Sequence, residues 1–205
     1  MPSTVFPFHP LDKRADTDAE RPPAWARGAQ FIDEFGNVFE CLLHKTPTTG
    51  VAVTALGPVG DVDGITTGYQ VTTDVSQSDA TKVRGASMVA LTIAETLAGY
   101  WTMVLKKGSA KEYIAGGKGL PLGDDTPADF VYARPLVPVV SYPTDTNIAD
   151  GNGLCWGADT TWTPAADDAE EVIAGVALAA DSSAAIAATL VRMDCPAGRT
   201  FADAT

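Results

Sequence analysis

A mainly β fold, built as a single β-barrel or β-sandwich-like domain with an extended N-terminal arm, is what this sequence predicts, and three observations predict it. Tight-turn dipeptides, Gly36-Asn37, Asp63-Gly64 and Asp150-Gly151, recur between short runs rich in Val, Thr and aromatic residues. The run Tyr100-Trp101-Thr102-Met103-Val104-Leu105 has the β-branched and aromatic content of a strand buried on at least one face. Residues 83–108, the stretch around which the chain is arranged, have a shortened echo at 173–195. With Gly85 laid on Gly175, both copies continue through a small apolar run and a spacer into a strand-like segment, at 100–105 and 190–193.

Taken in order, residues 1–28 differ from the rest. Pro2, Pro7, Pro10, Pro22 and Pro23 punctuate a charged stretch, and proline removes a donor and fixes φ, so neither a stable helix nor a central strand is expected there. This is the arm. Free in solution it is expected to be disordered, and at about 3.3 Å per residue it spans on the order of 90 Å. Phe6, Phe8 and Trp25 are its large apolar groups. Two readings stand for them: they fold back onto their own domain, or they anchor the arm on a neighbour.

From residue 29 two apolar runs meet at Gly36-Asn37, a hairpin with strands at 29–35 and 38–44. A further strand is expected at 51–56, then a turn at Asp63-Gly64 and a strand within 68–75. Residues 88–98 read either way, because Met88, Leu91 and Leu97 also suit one face of a short helix; the reading favoured is a strand at 86–93 and a turn at 95–99. Residues 106–125 are rich in Gly and Lys but lack the spacing of a phosphate loop. A strand pair broken by Pro135 and Pro138 suits sheet edges at 129–141, short strands follow at 154–157 and 160–163, and the echo at 173–195 closes the domain. The boundaries are therefore 1–28 for the arm, 29–195 for the β-rich domain and 196–205 for a patternless tail.

Charge and composition narrow the function. The net charge of −12 argues against a nucleic-acid partner, which needs clustered Lys and Arg to displace counterions. Cys41, Cys155 and Cys195 are far apart, and only His9 and His44 accompany them, so buried free thiols are expected and no metal or other cofactor. The N-terminal MPSTVFPFHPLDKR has no apolar run of signal-peptide length and no segment approaches about 18 uninterrupted apolar residues, so no membrane association is expected.

The search for catalytic chemistry yields little. Ser87 sits in an apolar run without a nucleophile elbow and reads as a packing residue. His44 at a strand end reads as a satisfied structural histidine. The pairs Asp33-Glu34, Asp124-Asp125, Asp167-Asp168 and Glu170-Glu171 are adjacent in sequence, so on a strand they point to opposite faces. No catalytic residue is nominated, and the protein is not expected to be an enzyme.

Three segments carry a resemblance: the hairpin DEFGNVFECLLH, the glycine-led RGASMVALTIAETLAGYWTMVLKKG and the closing IAGVALAADSSAAIAATLVRM. Together, over residues 29–195, they resemble the capsid decoration, or cement, proteins of tailed bacteriophages. In that family a glycine and small-residue strand leads into an aromatic strand ending near Lys-Gly, and a late Gly-Val-Ala-Leu-Ala segment precedes a terminal strand; residues 175–179 and 190–193 match the latter. The resemblance implies a structural virion protein made in the host cytoplasm. It would sit on the outer surface of an icosahedral head, attached to the major capsid protein and clustered as a homo-oligomer, a trimer being the expectation. Phe6, Phe8 and Trp25 are the candidate capsid-binding residues. The alternatives are a head-fibre, tail or adsorption component and, from another class, a carbohydrate-binding β module or a hydrolase with a cleft for the acidic pairs.

Overall fold

The computed structural model describes residues 6–46, 48–74, 76, 78–108, 141–144, 148–156, 160–165, 173–178, 180 and 187–195. Twelve strands join in one mixed sheet: β1 (Lys13–Ala15), β2 (Gln30–Ile32), β3 (Val38–His44), β4 (Pro58–Val62), β5 (Gln70–Thr72), β6 (Ser78–Ser87), β7 (Tyr100–Gly108), β8 (Ser141–Thr144), β9 (Gly153–Trp156), β10 (Trp162–Pro164), β11 (Gly175–Ala177) and β12 (Ala187–Asp194). A single helix, α1 (Ile93–Ala98), and a 3-10 turn at Ala24–Ala26 are the helical elements among the described residues. The fold is mainly β and sandwich-like.

Strand β7 is the hub. Along one edge it pairs antiparallel with β3, from Val38↔Lys107 to His44↔Tyr100. Its other edge is shared by β1 at 100–102, β6 at 104–105 and β12 at 107–108. Because side chains alternate along a strand, β3 and β7 divide the core. Phe39, Cys41, Leu43, Trp101, Met103 and Leu105 enter one cluster, shared with Leu154, Trp162 and Met193, while Leu42 and Val104 enter a second with Val53, Val59, Val71 and Leu91. The pairing also runs β7–β6–β4–β5 and back to β3, so these five strands wrap the second cluster.

The glycine alignment has a structural counterpart. Gly85 on β6 has φ +150, and a Cβ there would collide with Leu105 O on β7. Gly175 on β11 stands in the same relation to β12, where a Cβ would lie 2.9 Å from Arg192 O. In both copies the glycine lets a strand close on the strand that follows it.

Several elements differ from expectation. The hairpin strand β2 stops at Ile32 because the Asp33 carboxylate accepts from the amides of Phe35 (2.9 Å) and Asn37 (2.8 Å), replacing a two-residue connection by a loop at 33–37. At 51–56 only Val53 pairs, with Leu91, and the chain turns where Leu56 takes φ 61 and Gly57 N–H donates to Thr54 O. The expected strand at 86–93 ends at Ser87 and α1 follows; Thr92 and Glu95 form a capping box, a local signal stronger than the short apolar run. Strands β1 and β4 were not anticipated. The Gly- and Lys-rich region at 109–125, most of the pair expected at 129–141 and the tail at 196–205 lie outside the described residues.

Candidate functional site

Residues 6–28, expected to be disordered in isolation, are ordered against their own domain. Phe8 is buried in the main core, and Phe6 stacks on Phe31 and meets Phe39 edge-on, both at 5.7 Å between ring centroids. Strand β1 adds to β7, Trp101 Nε1 donates to Asp16 Oδ1 at 2.9 Å, and Arg27 lies 5.2 Å from the Trp101 ring centroid. The apolar content of the segment explains this: on the β3–β7 face it buries surface that an isolated arm would leave in water. For Phe6 and Phe8 the structure therefore shows the folded-back placement, and neither side chain is free to reach a neighbour while it holds.

Trp25 is different. It follows Pro22-Pro23 on the 3-10 turn and is 65% exposed, its ring centroid 6.4 Å from that of Phe31 in a tilted arrangement. Further along the chain, Ile32 and Phe35 are 53% and 50% exposed. Both belong to the hairpin, where Phe31 points inward and the alternation sends Ile32 out, and the Asp33-capped loop holds Phe35 in solvent. Among the described strands β2 pairs with β3 alone, so these side chains flank an open sheet edge. Ile32 and Phe35 were not singled out from sequence, although an aromatic inside Asp-Glu-Phe-Gly, a turn sequence, was a usable sign that it stays outside.

Among the described residues four charged or titratable side chains, Glu40, His44, Asp74 and Lys106, are buried together with the cysteines. Glu40 accepts from Arg84 and from Lys106 Nζ at 2.9 Å, and Arg84 also binds Asp61 Oδ1 at 2.9 Å. Burial works against the Arg84 cation, but the carboxylates of Glu40 and then Asp61 outweigh it and hold its pKa above the ordinary value. Cys41, Cys155 and Cys195 are buried free thiols, and burial pushes Cys41 and Cys195 up to about 12, which keeps them protonated and unreactive. Ser87 is buried and donates to Val89 O. His44 is buried as expected but not satisfied: neither ring nitrogen has a partner, and burial lowers its pKa to about 3. Of the acidic pairs, only Asp33-Glu34 falls among the described residues, and Asp33 is engaged in its loop. Among the described residues no three His, Cys, Asp or Glu side chains group to hold a metal ion, and no helix is long and apolar enough to cross a membrane.

Compared with family models, curated proteins and solved structures, the chain gives no match. What this region offers chemically is contact: exposed Trp25, Ile32 and Phe35 on either side of an open sheet edge, over an interior where Glu40, Arg84 and Lys106 are paired.

Proposed function

We propose that the protein is a nonenzymatic structural component of a phage virion that binds the outer surface of an icosahedral capsid, through its major capsid protein, and braces contacts between capsomers. The observation that carries this reading is the exposure of Trp25, Ile32 and Phe35 on and just before the hairpin whose strand β2 has an open edge, since large apolar side chains left in water along such an edge mark interaction surfaces. The sequence resemblance of residues 29–195 to capsid decoration proteins supports the choice of partner. The mechanism is preferential binding: a protein that binds the assembled lattice and not its dissociated subunits stabilises the lattice by roughly 2.7 kcal/mol per site at a hundredfold excess over Kd. Copies cluster as a trimer at local symmetry axes, as the resemblance implies; isolated monomers on a decorated particle would refute that part. The decisive test of the whole reading is gel densitometry of purified particles. Copy numbers comparable with the major capsid protein are expected, and a few copies per particle would assign the chain to a tail or fibre instead.

A further inference from the structure

His44 closes one end of the five-strand wrap. It shares a face with Leu42 and Glu40 on β3, is fully buried, and has neither ring nitrogen hydrogen-bonded. Thr102 Oγ1, diagonally across on β7, is likewise buried without a partner. Two residues beyond His44, Thr46 N–H donates to Thr96 O, which ties this end to α1.

The same piece of β7 holds the N-terminal segment. Tyr100, Trp101 and Thr102 pair with His44, Leu43 and Leu42 on one edge and with Ala15, Arg14 and Lys13 of β1 on the other. Lys13 Nζ meets Glu95 Oε1 of α1 at 2.5 Å, and Asp16 N–H donates to Gly99 O. From these juxtapositions we infer that the His44 end of β7 is an acid-sensitive latch, whose opening on protonation of the imidazole releases β1 and the N-terminal segment from the sheet.

The charges around His44 do not relieve it. On β3 stands Glu40, committed to Arg84 of β6 and Lys106 of β7, and Lys45 follows the strand's end; Tyr100 lies opposite on β7, Asp61 of β4 is bound to Arg84, β5 carries no ionisable group, and Glu95 and Lys13 hold each other. Burial is the one cause of the depressed imidazole, so no carboxylate is placed to receive a proton's charge. The sign follows. In the open form the imidazole titrates near 6.5 and in the closed form near 3, so between these values the open form binds the extra proton and gains as pH falls. Glu95, held below the usual carboxylate range by Lys13 and by the Thr92 amide, adds in the same direction when it is protonated and lets Lys13 go.

Hydrogen exchange of the full chain tests the latch. After correction for intrinsic amide rates, exchange of residues 13–16 and 100–102 should rise about tenfold per pH unit from 6.5 towards 4.5, while exchange in β9 and β11 stays flat. His44→Gln, which cannot ionise, should remove that slope. The ring signals of His44, identified by comparison with His9→Gln since the chain has two histidines, provide a check that needs no variant at the latch: in the closed protein at pH 5 they should report a neutral ring. A protonated ring at pH 5 with exchange at 13–16 unchanged, or acceleration equal in β9 and β11, would overturn the latch, the second outcome by showing global unfolding.

Discussion

At the scale of single residues, the two aligned glycines are the sharpest test of the internal echo. Gly85 and Gly175 each face a carbonyl of the following strand, at Leu105 and Arg192, with no room for a methyl group. Gly85→Ala sets a Cβ against backbone that cannot rotate away, so a loss of about 1–3 kcal/mol is expected. Gly175→Ala, at 2.9 Å, should cost less, since the overlap to be relieved is only a few tenths of an ångström. Gly64 has open space around it and φ +70, so Gly64→Ala carries only the penalty of the left-handed backbone, about 1 kcal/mol. Urea unfolding of the three variants would show this order; a Gly85→Ala protein as stable as Gly64→Ala would mean that β6 and β7 are spaced more widely than described. The buried thiols give a second reading at this scale. With Cys41 and Cys195 held protonated, the native protein should react with a thiol reagent only as fast as it opens.

At the scale of elements, the pairs that the sequence displayed were those whose local chemistry agrees with their packing. Residues 38–44 and 100–105 were legible as strands because an apolar run at a turn and a β-branched, aromatic run announced them, and they became β3 and β7, the longest ladder of the first half. Strand β4 was not legible. Its Pro58-Val59-Gly60-Asp61-Val62 carries proline and glycine, residues that oppose a strand locally and are accommodated here by register shifts against β6. The helix was hidden differently, its capping box lying inside a run read for apolar period alone. Nor did the sequence show that Glu40, Arg84 and Lys106 converge, since Arg84 lies 44 positions after the acid and Lys106 another 22 after Arg84, and only the topology of β3, β6 and β7 brings them together. That cluster makes a prediction. Glu40→Gln leaves the buried Lys106 without its acid while Arg84 keeps Asp61, and a loss of about 3–5 kcal/mol is expected. Glu40→Gln combined with Lys106→Met should recover part of it, because the two changes touch one network. Chemical denaturation followed by tryptophan fluorescence measures both, and strictly additive losses would mean that the acid and Lys106 do not depend on each other.

At the scale of the whole molecule, the pairing falls into two sets joined through β7 and β12. In the first, β3, β5, β4, β6 and β7 each pair with two others of the set; in the second, β12, β8, β10, β9 and β11 do the same. The echo between 83–108 and 173–195 supplies one glycine-led strand pair to each set, and the turn signals that flagged β2, β3, β5, β9 and β10 supplied most of the rest, while β1 and β4 carried neither kind of signal. Trp162 crosses between the sets, its Nε1 donating to Leu56 O at 2.8 Å. The N-terminal segment lies on the first set, and this changes how a capsid-binding role must be probed. Removing residues 1–24 also removes Phe8, β1 and the Asp16 partner of Trp101, so a loss of occupancy would report a damaged domain as readily as a lost grip. Single changes at the exposed group avoid this. Trp25→Ala and Phe35→Ala alter side chains that are at least half exposed, and surface changes of this kind shift stability by about 0.5 kcal/mol or less. Buried in an interface, the same aromatic groups act as anchors, and losing one is expected to weaken binding to undecorated particles by about tenfold or more. Phe8→Ala gives the opposite signature, a cost of about 3–5 kcal/mol in stability with binding retained by whatever fraction stays folded. Occupancy and off-rate on undecorated shells, read beside thermal unfolding of the free variants, separate the two. If Trp25→Ala and Phe35→Ala both bind as the parent does, the β2 edge is not the grip, and the next surface to test is the exposed pair Ile93 and Leu97 on α1.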